Sequence, residues 1–135
     1  MRTLLIFLFP ALLFGCASTP VSISEAVDIA PARYQLYGDR RPGTAEVTIT
    51  RDKGFIGAGC PTSITVNGKP AASIRPGEKA TLYVPPGEVI FGADPGMCGG
   101  SRSEVGATLV GGQPAYLRLS ADQSGAVTLQ KTIAR

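Results

Sequence analysis

Ten carboxylates, three cysteines and no histidine define the chemistry open to this 135-residue chain. Without histidine a Ser-His-Asp triad cannot form, and the commonest general base is missing. No serine is followed by a lysine three residues on, so the Ser-Lys arrangement of the S-x-x-K enzymes has no match. Asp28, Asp39, Asp52, Asp94 and Asp122 fall mostly in turn-like sequence, where Asp commonly binds its own backbone. A glycosidase needs two carboxylates held at a defined separation in a cleft. Glu78 and Glu88 flank one hairpin but read better as solvated strand ends. Cys16, Cys60 and Cys98 show no C-x-x-C spacing and no accompanying histidine, which argues against a metal site. Gly54-x-x-Gly57-x-Gly59 lacks the order of a dinucleotide fingerprint and any Lys-Ser/Thr ending, so it reads as a flexible loop. The expectation is a protein without catalytic residues, cofactor or metal.

The cysteines point elsewhere. Met1-Arg2-Thr3 is a positive start, residues 4–14 are an apolar run, and Gly15 stands before Cys16. This is the layout of a secretory signal, and the run falls short of the about 20 residues of a membrane span. Leu13, Gly15 and Cys16 resemble the bacterial lipobox, although Phe14 is bulkier than the usual Ala or Ser. The resemblance implies that Cys16 is thioether-linked to a diacylglycerol and becomes the acylated N-terminus after cleavage. Ala17, rather than Asp, follows it. The same resemblance therefore implies sorting to the outer membrane, with the domain in the periplasm. Lipid on Cys16 leaves Cys60 and Cys98 as a pair, expected as a disulfide in an oxidising compartment.

Three segments must position these groups: a signal peptide over 1–15, a lipidated Cys and tether over 16–43, and a β-domain over 44–135. Ser18-Thr19-Pro20 suits a linker. Ser22 and Glu25 have the spacing of a capping box around a single helical turn. From residue 44 the pattern has period two: Ala45, Val47 and Ile49 alternate with Glu46, Thr48 and Thr50. Asn67-Gly68, Pro76-Gly77, Pro86-Gly87, Gly111-Gly112 and Ser124-Gly125 punctuate the rest as turns. The result is an all-β chain: a small antiparallel sandwich of about seven to eight short strands, joined as meanders by short turns.

The rhythm Asn67-Gly68-Lys69-Pro70, Arg75-Pro76-Gly77-Glu78 and Val84-Pro85-Pro86-Gly87 is similar to PEGA-type β-domains of bacterial envelope lipoproteins. The resemblance covers roughly 45–133 and implies a fold without a defined activity. The longest basic run is Arg40-Arg41 and the mature chain is nearly charge-balanced, which leaves no footprint for nucleic acid. Phe55 and Ile56, in the glycine-rich loop beside Cys60, are candidate contacts for an envelope protein partner, or else plugs at the end of the sandwich. Tyr83, Tyr116 and Arg118 fall on strands; Tyr83 shares parity with Lys79 and Thr81 and should face outward. The functional expectation is an outer-membrane-anchored, non-enzymatic binding or structural module, attached to the membrane through Cys16. The alternative is an inhibitor of a periplasmic or host enzyme such as lysozyme.

Overall fold

Val47, Ile49, Leu82, Ile64 and Phe91, at alternating positions of their segments, are all fully buried. Their burial is what turns the period-two pattern into sheets. The computed structural model describes residues 18–54 and 59–134. Among the described residues nine strands form: β1 (Val27–Asp28), β2 (Ala45–Arg51), β3 (Thr62–Val66), β4 (Lys69–Ile74), β5 (Glu78–Val84), β6 (Gly87–Asp94), β7 (Ser103–Leu109), β8 (Pro114–Ala121) and β9 (Val127–Thr132). Two sheets face each other, one in the order β1-β5-β2-β8-β9 and one in the order β4-β3-β6-β7. The all-β sandwich expected from the turn spacing is the fold observed.

Its connectivity is less local than a meander. Hairpins β3–β4 and β8–β9 are antiparallel, as short turns require, and β6–β7 is antiparallel across the longer loop 95–102 that carries Cys98. In the first, Asn67 (φ 48°) and Gly68 (φ 78°) both take positive φ, the requirement of a type I′ turn that Gly meets without a Cβ penalty. The Asn67 carboxamide oxygen then accepts the Ile90 N–H at 2.9 Å, tying the turn to the next strand pair. Between hairpins the chain changes sheet, and β2 pairs with β8 in parallel, Val47 opposite Ala115. β1 likewise runs parallel to β5. Short turns fix hairpins, but they do not fix which sheet a hairpin joins.

Residues 18–43, expected as part of a tether, lie against the β-domain. Thr19 bridges Lys53 with backbone hydrogen bonds of 2.7 and 2.9 Å, and β1 adds to β5. Val21, Ala26 and Ile29 are buried. Farther along, the Tyr34 hydroxyl accepts the Thr81 N–H, and Tyr37 C=O accepts the Tyr83 N–H at 2.8 Å. The segment therefore travels the whole length of β5. Ser22 and Glu25 do form their reciprocal capping bonds around one turn. The reason for docking is apolar: burying three aliphatic side chains releases a few kcal/mol, enough to offset part of the ordering cost. It also changes β2. Thr48 and Thr50, expected on a solvated face, are 7% and 5% exposed, and they line one cavity with Pro20 and Val21.

Candidate functional site

The candidate acids resolve first, because they turn out to be tied. Asp52 leaves the end of β2, its side chain 1% exposed, and Arg118 of β8 grips it with Nε–Oδ1 at 2.9 Å and Nη2–Oδ2 at 2.5 Å. The hydrogen bond to Asp52 raises the Arg118 pKa above its ordinary value. Glu78, at the start of β5, takes two 2.6 Å bonds from Arg33 and the Arg75 N–H at 2.8 Å. That clamp, chiefly the Arg33 side chain, holds the Glu78 carboxyl below the usual carboxylate range. Asp94 pairs with Arg102 at 2.8 Å, and Asp122 closes its own turn on the Ser124 N–H at 2.8 Å. These carboxylates are used to hold segments together. The bidentate pairs of Asp52 and Glu78 are strong and directional, whereas the more exposed Asp94–Arg102 pair contributes little.

Cys60 and Cys98 lie at disulfide distance, Cα–Cα 6.2 Å, at the same end of the sandwich as Asp52. Buried Arg51 reaches from β2 and donates to the Cys60 and Ile74 carbonyls at 2.8 and 2.7 Å. Its burial lowers its pKa from the ordinary arginine value. Cys16, Phe55 and Ile56 lie outside the described residues.

The opposite end carries a different constellation. Cross-strand register places Tyr83 of β5 opposite Glu46 of β2, and Tyr116 of β8 opposite Thr48. Both tyrosines are half-buried and outward on the same sheet face. They are separated by two strand spacings and a two-residue offset along the strands, about 12 Å. The Arg40 guanidinium lies over the Tyr83 ring at 4.8 Å and is held there by Glu46 at 2.6 Å. The bond to Glu46 raises the Arg40 pKa. A cation over an aromatic face is attracted by the ring quadrupole. Arg41, Pro42 and Pro114 complete the rim of a groove of about 730 Å³.

Two loops frame this groove and are packed backbone on backbone. Thr44 Oγ1 donates to the Arg41 carbonyl at 2.6 Å, and the Gly112 N–H donates to the Thr44 carbonyl at 3.0 Å. A Cβ on Gly111 would stand 2.6 Å from the Gly43 carbonyl oxygen, so only glycine allows the approach. Such packing keeps the rim preorganised.

Outward parity gave Tyr83 in the sequence, and Tyr116 and Arg118 lie on the strand expected for them. The convergence of Tyr83 and Tyr116 with Arg40, Arg41 and Glu46 is not legible in the sequence, because it depends on the parallel β2–β8 pairing, and Arg118 points to Asp52 at the other end instead. The only linear signal was the Arg40-Arg41 pair just ahead of a strand. Among the described residues no group of three His, Cys, Asp or Glu side chains could hold a metal ion, and no helix is long and apolar enough to cross a membrane. In comparison with known proteins, no family model, curated protein or solved structure matches this chain.

Proposed function

We propose that this chain is a lipoprotein of the bacterial envelope, anchored in the outer membrane through Cys16 and working in the periplasm as a non-enzymatic binding module. The lipobox-like Leu13-Phe14-Gly15-Cys16 supports the anchor, and the oxidising periplasm suits a Cys60–Cys98 disulfide. The rhythm around 66–87 supports a PEGA-like β-domain. One observation carries the binding role: the groove of Arg40, Glu46, Tyr83 and Tyr116, concave, part aromatic and furnished with a few placed polar groups. That is the composition of a recognition site rather than of a reaction centre.

Two measurements test this. Labelled palmitate should enter the wild type and fail to enter Cys16→Ser; equal labelling removes the anchor. A photo-crosslinker at position 116 should capture an envelope component far more strongly than one at Ser73, on the other sheet. Equal yields at the two positions remove the binding role of the groove.

A further inference from the structure

Building on that binding-module reading, we propose that the Tyr83–Tyr116 groove binds an anionic oligosaccharide, a strand of pyranose rings bearing carboxylates. The main chain beneath the groove has nothing to offer a ligand. β2 is paired on both sides, by β5 and by β8, so an extended peptide would gain no ladder hydrogen bonds there. Recognition must run through side chains. These are the half-buried Tyr116 ring, the Tyr83 ring with Arg40 stacked over one face, and the flat faces of Pro42 and Pro114. Flat apolar faces fit the C–H faces of pyranose rings, and tyrosines on the two strands flanking β2 can be met by one oligosaccharide strand lying across them. Hydroxyl groups of the sugar need polar partners between the stacking faces. Glu46 lies there, and the Tyr116 hydroxyl has no hydrogen-bond partner among the described residues.

Charge selects the anionic class. The groove's charged side chains are Arg40, Arg41 and Glu46, two cations against one anion. Arg40 is committed to Glu46, whereas Arg41 is exposed and makes no side-chain hydrogen bond or ion pair among the described residues. Its planar fork is suited to a carboxylate. Placement agrees. Thr19, three residues past Cys16, is bridged to Lys53 just beyond the end of β2, while the groove lies at that strand's start. A strand of seven residues spans roughly 20 Å, so a chain held by Cys16 would carry the groove at its far end, toward material beyond the bilayer.

The test is calorimetric titration of the mature lipidated protein in detergent micelles with three probes. Oligogalacturonate supplies the charged sugar, maltohexaose the neutral sugar, and polyglutamate the charge alone. Oligogalacturonate should bind at least about tenfold tighter than either control. Tyr116→Ala should weaken it by about tenfold, and Tyr116→Phe, which keeps the ring, should retain most of it. Arg41→Ala should bring its affinity down toward that of maltohexaose, with the melting temperature unchanged. Binding of polyglutamate as tightly as the sugar, no binding of oligogalacturonate, or indifference to both Tyr116→Ala and Arg41→Ala each overturns the assignment. If position 116 still crosslinks an envelope protein while oligogalacturonate does not bind, the glycan assignment falls and the binding module stands. If neither occurs, both fall.

Discussion

The two ends of this sandwich share strands and differ in what holds them. At the Cys60–Cys98 end a cysteine pair, buried Arg51 and the Asp52–Arg118 pair lock β2, β3 and β8 together. At the groove end the charged contact is Arg40–Glu46, with side chains 69% and 39% exposed. Buried ion pairs are costly to break once formed, because one charge is left without solvent; exposed pairs contribute little and are screened by salt. The same residue types therefore lock strands together at one end and stand largely in solvent at the other. Exposure, rather than residue identity, separates the two roles.

The largest effect should come from the cysteine pair. Replacing Cys60 and Cys98 together by Ala should cost about 4 kcal/mol of unfolding free energy, from the chain entropy of a loop with a sequence separation of 38. Denaturant titration reads this, and a loss near zero would mean that this end is held by its ion pairs alone. Next, Arg118→Ala leaves the Asp52 carboxylate buried without its cation. That should cost about 3 kcal/mol, the low end for breaking a buried pair, because Arg118 itself is partly exposed. A loss no larger than that of an exposed pair would erase the contrast between the two ends.

A smaller effect, dependent on pH, belongs to Glu78. Its folded pKa lies below the ordinary 4.5, so its contribution is full above that value and is lost as pH falls through the lowered folded value. Melting temperatures of the wild type and Glu78→Gln should therefore converge in acid and separate above about pH 4.5. Parallel curves across that window would show that the Arg33 clamp adds nothing. The smallest effect on stability is Arg40→Ala, which should leave the melting temperature unmoved while disturbing the groove. A marked drop would make the Arg40–Tyr83 stack part of the fold's support and weaken its reading as a recognition surface.

Much of the fold is written locally. Alternation of Ala45, Val47 and Ile49, the Asn67-Gly68 turn and the Pro-Gly punctuation determine strands and hairpins, since each depends on residues adjacent in the chain. The capping turn of Ser22 and Glu25 is local for the same reason. The pairing of Cys60 with Cys98 was legible from the count of cysteines, once Cys16 was set aside for lipid. Other features were settled only by tertiary structure. Ser18-Thr19-Pro20 has linker composition, yet Val21, Ala26 and Ile29 find a surface along β5 and over β2 that no local pattern announces. Tyr83, Glu46 and Tyr116 form one groove because β8 lies parallel beside β2, a contact between strands more than sixty residues apart. Local sequence sets the conformation of each strand; which strands become neighbours is decided by how the whole chain buries its apolar faces.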